Sequence, residues 1–145
     1  MNRHEKIRVE LPLRFRDLDA MGHVNNAVFF TYFEEGRKAF LHRVLGLVKP
    51  ADYFFIIARI GCEFRAALTL EDSAALEIWI GKIGGKSFTF RYRIVDEGDP
   101  PRVFARGESV QVFFDYHAGR STKAPAGFAE KVSSYVELPH SSPSA

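Results

Sequence analysis

From Lys6 to Arg16 hydrophobic and polar positions alternate, with Ile7, Val9, Leu11, Leu13 and Phe15 on one face and Arg8, Glu10, Pro12, Arg14 and Arg16 on the other. A period of two predicts a half-buried strand. Pro12 has no N–H to give a neighbouring strand, so the pattern places this strand at a sheet edge or at a bulge. Asp17 to Asn25 has the acids, glycine and asparagine of a loop that runs into a helix cap. From Asn26 to Leu45 the period changes to that of a helix, with Phe29, Phe33, Gly36, Phe40 and Val44 on one side. The charged or titratable positions there are Glu34, Glu35, Arg37, Lys38, His42 and Arg43, which predicts a long helix apolar nearly all round. Gly46 and Pro50 end it.

Strands follow. Ala58, Ile60, Cys62, Phe64 and Ala66 alternate with Arg59, Gly61, Glu63 and Arg65. Ala74 to Ile83 is apolar on both faces, and Phe88, Phe90, Tyr92 and Ile94 alternate with Ser87, Thr89, Arg91 and Arg93. Gly84 and Gly85 predict a two-residue hairpin turn with positive φ. Glu97 to Pro101 predicts a second turn before a long strand from Val103 to Tyr116, and Ala124 to Tyr135 a short helix on Phe128, Val132 and Tyr135. The order is strand, long helix, then four antiparallel strands joined by hairpins. It describes an α+β domain in which a curved sheet of about five strands wraps one central helix. One domain is expected over residues 1–138, with the Ser- and Pro-rich residues 139–145 as a disordered tail.

Composition removes several alternatives. The 20 Lys and Arg stand against 18 Asp and Glu, well interspersed, so no surface is dedicated to nucleic acid. One cysteine excludes an intramolecular disulfide framework and suits a reducing compartment. No apolar run is long enough to span a bilayer, and the charged first ten residues do not resemble a secretory leader, so a cytoplasmic protein without membrane insertion is expected. The 14 phenylalanines exceed the needs of a small core and suggest an apolar pocket.

The densest polar cluster runs from Arg16 to Asn26. Turn chemistry alone could account for it: Asp17 and Asp19 in turn hydrogen bonds, Gly22 in a strained conformation, Asn25 or Asn26 as the cap. The stretch DLDAMGHVNNAVFFTYFEEGR, Asp17 to Arg37, however resembles the signature DxDxxGHVNNxxYxxxxExxR of the hotdog-fold thioesterases of the 4-hydroxybenzoyl-CoA thioesterase-like branch. The likeness rests on about ten positions at fixed spacing between a strand and a helix. It implies a helix held in a wrapped sheet, dimers joined edge to edge or dimers of dimers, and hydrolysis of acyl thioesters of coenzyme A or acyl carrier protein without a cofactor. A non-catalytic acyl-CoA-binding protein is the rival.

Position by position, the resemblance implies Asp19 as the catalytic carboxylate, acting as nucleophile or general base, and a backbone amide near Asn26 as the group that polarises the thioester carbonyl. First-turn amides lack intrahelical partners and carry partial positive charge, which suits a developing oxyanion. Asp17 and His23 are expected to position the loop. Gly22, Asn25, Phe29 and Phe33 are expected to contact substrate, with Arg59, Lys86 and Ser87, beside Lys82, Arg65 and Arg91, as candidates for the phosphates of coenzyme A. Glu34 and Glu35 are expected to pair with Arg37 or Lys38 or to support the loop, with catalysis the less favoured role. Phe54, Phe55, Ile56 and Ile57 are expected to wall an acyl chain held at Asn26.

Other chemistries lack their residues. GESVQ around Ser109 has no second glycine and lies in a strand, unlike a nucleophile elbow. Cys62 alternates with core positions, and GGK at residues 84–86 lacks the spacing of a phosphate loop. Histidines 4, 23, 42, 117 and 140 show no ligand spacing, so no metal site is expected.

Overall fold

In the computed structural model, which describes residues 4–138, the chain forms β1 (Ile7–Glu10), α1 (Asn26–Leu45), β2 (Phe55–Phe64), β3 (Ala75–Ile83), β4 (Ser87–Val95), β5 (Val103–Asp115), β6 (Arg120–Ser121) and α2 (Phe128–Val132). The predicted tail, residues 139–145, lies outside the described residues. The strands form one antiparallel sheet in the order β1-β3-β4-β5-β2, with the two-residue β6 on the end of β5. β2 and β3 are not the hairpin expected: β2 crosses to the far edge to pair with β5, and β1 takes the place beside β3.

α1 starts and stops on local signals. Asn25 caps it, its side-chain oxygen accepting the Ala27 N–H at 2.8 Å. Gly46 ends it at φ 68°, donating to the His42 carbonyl, while Leu47 donates to Leu41. One side of α1 lies on the inner face of the sheet, burying Phe29, Phe33, Phe40 and Leu41 against Leu76, Ile78, Phe90 and Tyr92. Two glycines permit this approach. A Cβ at Gly36 would overlap the Leu76 side chain, and one at Gly107 would stand 2.5 Å from Phe33 and 2.9 Å from the Gly61 carbonyl.

The sheet covers less of α1 than its composition suggests. Ala27, Thr31, Glu34, Glu35, Lys38, His42 and Arg43 form an exposed stripe, because these positions recur at three- and four-residue intervals on the side away from the sheet. Arg37, grouped by sequence with that solvent share, is buried. Neither Glu34 nor Glu35 pairs with Arg37 or Lys38 among the described residues.

Three further expectations change. The first strand is four residues long. Leu11 still donates to Ala74, but the next inward donor, the Leu13 N–H, turns back to the Leu11 carbonyl at 3.1 Å, and Phe15–Asp17 then make a 3-10 turn in which Asp17 accepts the Arg14 N–H. Pro12 lies at a position whose N–H would face away from β3. Phe15 is 82% exposed, not buried. Its position at the sheet edge is as expected. The β3–β4 turn spans Gly84 to Lys86, closed by a 2.7 Å bond from Gly84 N–H to the Ser87 carbonyl, and neither glycine uses positive φ. The helical segment expected over residues 124–135 contracts to α2 and a 3-10 turn, Ser133–Tyr135, though Phe128 and Val132 are buried as the pattern requires.

The aromatic surplus goes largely to packing. Phe54, Phe55, Phe88, Phe113 and Phe128 form a cluster with centroid separations of 5.0 to 6.4 Å. Across β4 and β5 a buried polar chain runs through this core. Arg37 donates to the Tyr92 hydroxyl at 3.1 Å, Tyr92 bonds Ser109, Ser109 donates to Gln111, and Gln111 donates to the Phe88 carbonyl at 3.1 Å. Ser109 is thus fully buried and committed, which agrees with its exclusion as a nucleophile.

Candidate active site

The loop between β1 and α1 is built around two aspartates with different duties. Asp17 ties it to the helix: its carboxylate accepts the Tyr32 hydroxyl at 2.9 Å and its carbonyl accepts the Asn25 N–H at 2.8 Å. Burial and the Asp17 carboxylate push the Tyr32 hydroxyl well above its usual range, so it remains a donor. Asp19 forms the tip. Its N–H donates to the His23 carbonyl at 2.7 Å, and Oδ1 accepts N–H bonds from Met21 at 2.8 Å and His23 at 3.1 Å. Gly22, at φ 80°, lets the chain reverse between them.

Those bonds hold one carboxylate oxygen and leave Oδ2 without a protein partner among the described residues. The Val24 N–H donates to the Leu68 carbonyl at 2.7 Å and docks the loop against residues 65–68. The result is a small open cleft of about 280 Å³ between the helix start and the end of β2, lined by Asp19, His23, Asn26, Phe29, Phe64 and Leu68, with Arg65 at its side. The Asn26 N–H, in the first turn of α1, has no acceptor among the described residues. Asp19, with one carboxylate oxygen free, and Asn26, with a free first-turn amide, therefore line one cavity. Phe29 meets Phe64 edge-on at 5.1 Å to form its apolar wall.

Of the residues singled out by sequence, Asp19, His23, Asn26 and Phe29 come together here. Gly22 and Asn25 shape the loop and the helix start. Phe33 is fully buried and stacked on Tyr92 at 4.3 Å, away from the cleft. Arg59 and Arg91 lie on the outer face of the sheet, 3.6 and 2.9 Å from Glu108. Lys86 and Ser87 belong to the β3–β4 turn, not to the cleft. Phe54 to Ile57 stand at the end of β2 remote from Phe64, so within one chain they do not wall this cleft. Phe64 and Ala66 were visible only as strand positions, and Ala67 and Leu68 carried no signal, because the loop that meets them lies more than forty residues earlier in the chain. Burial raises the Cys62 thiol to about 11, which agrees with a packing role. Among the described residues no group of His, Cys, Asp and Glu side chains gathers to hold a metal ion.

The sequence profile of the thioesterase-like superfamily matches residues 13–132. The chain belongs to that superfamily. The wrapped helix is the hotdog fold, and the superfamily is described as thioesterase-like. Among solved structures, a Thermus thermophilus thioesterase complexed with coenzyme A and zinc is 29% identical, with a TM-score of 0.74 over 86% of this chain and 90% of that one. A Bacillus stearothermophilus protein described as a predicted thioesterase is 24% identical, with a TM-score of 0.84 over 94% of this chain and all of the other. A 4-hydroxybenzoyl-CoA thioesterase variant complexed with 4-hydroxybenzoyl-CoA shares the fold at 17% identity, with a TM-score of 0.74 over 88% of this chain and 98% of that one. The uncharacterised protein YsmA of Bacillus subtilis is 24% identical over 92 residues, and the match spans 63% of its length and 63% of this chain. No helix among the described residues is long and apolar enough to cross a membrane.

Proposed function

We propose that this protein hydrolyses the thioester of a hydrophobic acyl-CoA in the cleft at the start of α1. The observation that carries the reading is that Asp19, whose Oδ2 is free, and Asn26, whose N–H is unpartnered, line one cavity. The thioester carbonyl oxygen accepts the Asn26 N–H, and the charge that grows on it as the carbon becomes tetrahedral is held by that amide and the helix terminus. Asp19 either takes a proton from the water that attacks the carbon, or attacks the carbon itself to form a mixed anhydride, which water cleaves once the thiolate has left. The C–S bond then breaks, and the thiolate, whose acid has a reference pKa of about 8.5, leaves and takes its proton from solvent. Phe29 and Phe64 meet the acyl group, Asp17 and His23 keep the loop in place, and coenzyme A lies at the open side near Arg65.

The same reading takes the free edge of β2 as the contact of a homodimer, since Ile57 and Phe64 on that strand are 39% and 42% exposed. Release of free thiol from acetyl-, hexanoyl-, decanoyl- and benzoyl-CoA tests the activity. Rates are expected to rise with acyl size, and Asp19→Asn is expected to lower turnover roughly a hundredfold or more while the protein stays folded. Turnover within about threefold of the parent would remove Asp19 from the chemistry.

A further inference from the structure

A second cavity, of about 510 Å³, lies at the opposite end of β2, lined by Leu41, Tyr53, Phe55, Ile57 and Tyr116 and by the side chain of Arg37. Arg37 is only 9% exposed, yet no carboxylate stands within 4.0 Å of it among the described residues. Its one hydrogen bond goes to the Tyr92 hydroxyl. That bond cannot offset the charge. Ser109 donates to Gln111, so it accepts from Tyr92, and Tyr92 is a neutral hydroxyl that donates to Ser109 while accepting from Arg37. Burial holds the Tyr92 hydroxyl above its ordinary value, which keeps it neutral.

A guanidinium has five donors in a planar fork, and one of them is used. Arg91 Nε is the one buried side-chain nitrogen or oxygen without a partner among the described residues, so the remaining nitrogens of Arg37 reach open space. The space they border has apolar walls. Glu34, Glu35 and Lys38 also line the cavity, but they are exposed and belong to its rim. A buried, unpaired, rigidly held guanidinium beside Leu41, Phe55 and Ile57 is complementary to a carboxylate on an apolar stem, which would take two parallel N–H bonds and supply the missing counter-charge.

We propose that the Arg37 cavity is a binding site for a carboxylate carried on an apolar chain. Two molecules could present that group: a free acid, such as the product of the proposed hydrolysis, or an acyl-CoA whose acyl chain ends in a second carboxylate. The latter rests on the reading of the Asp19 cleft, the former does not.

The test is calorimetric titration of the full-length protein with hexanoate and with hexanamide, in the parent, Arg37→Met and Arg37→Lys. The parent is expected to bind hexanoate at least tenfold more tightly than hexanamide; Arg37→Met is expected to lose that difference and Arg37→Lys to keep part of it. Glu34→Trp, at the exposed rim of the cavity on α1 and off the β2 edge, is expected to block hexanoate without changing thermal melting, and this keeps the test open should Arg37→Met fail to fold. Equal binding of acid and amide by the parent, or hexanoate binding unchanged in Arg37→Met, overturns the proposal. Hydrolysis of adipoyl-CoA against hexanoyl-CoA then identifies the source. A preference for adipoyl-CoA that Arg37→Met abolishes assigns the site to the substrate terminus, and equal rates with hexanoate binding intact assign it to the free acid. Hexanoate binding by a protein that cleaves neither thioester would remove the proposed function and leave this site standing.

Discussion

β1 and β2 close the two ends of one sheet, yet β1 offers four residues to solvent and β2 ten. β1 is short because the Leu13 N–H turns back to the Leu11 carbonyl, its outward residues Arg8 and Glu10 are charged and paired, and the Glu5 N–H just before it is taken by the Ser134 carbonyl. β2 also pairs charges on its outer face, Arg59 with Glu108 and Glu63 with Arg65, but it carries no proline and runs for ten residues. Its residues Ile57, Ile60 and Phe64 are on the inner face of the sheet but beyond the flank of α1, and they remain half-buried or exposed. One edge is protected against pairing, and the other has the length and apolar surface that pairing requires. The two cavities discussed above lie at the two ends of that second edge.

The contrast can be broken most directly at Ile60. If a second copy pairs along β2, two-fold symmetry buries both copies of Ile60 near one another, and Ile60→Lys is expected to weaken the dimer at least a hundredfold. Sedimentation of the parent and the variant at micromolar concentration checks this, and a parent that sediments as a monomer ends the comparison. Cys62, next on the same face, reports the edge chemically. With its thiol raised to about 11, the protonated form dominates at pH 8, so alkylation is expected to be roughly a hundredfold slower than for a free cysteine and to accelerate about tenfold per pH unit until pH 11. Measured rates equal to those of a small thiol would mean that β2 is more open than described.

Attachment of β2 to the body is a smaller effect. Gly107→Ala would press a methyl group against Phe33 and the Gly61 carbonyl, and is expected to cost about 1 to 3 kcal/mol in urea unfolding. At the protected edge little should happen. Arg8→Ala removes ion pairs to Glu10 and Glu77 that are largely in water, and a loss of about 0.5 kcal/mol or less is expected in the same assay.

Much of the molecule was legible in advance where one segment carried the whole signal. The limits of α1 follow from Asn25, Gly46 and an uninterrupted helical period, and the succession of strands along the chain, with the hairpins β3–β4 and β4–β5, follows from alternation and turn residues; the pairing of β2 with β5 does not. The Asp19 loop was legible because its hydrogen bonds close within the five residues from Asp19 to His23. The first strand is shorter than its pattern because alternation continues past Pro12 while the Leu13 N–H turns back to the Leu11 carbonyl.

What the sequence determined by itself was therefore the identity of the elements, the loop that offers Asp19 and Asn26, and the family signature that joins them. Only the tertiary structure decided which faces are covered. Phe33 and Phe29 are four residues apart on one helix, yet one is sealed against Gly107 and the other opens into a cleft, because β5 reaches the first and the end of β2 stops beside the second. Arg37 has the composition of a surface residue and sits in the interior. Periodicity reports how residues are arranged about their own axis, and burial depends on elements that arrive from elsewhere in the chain.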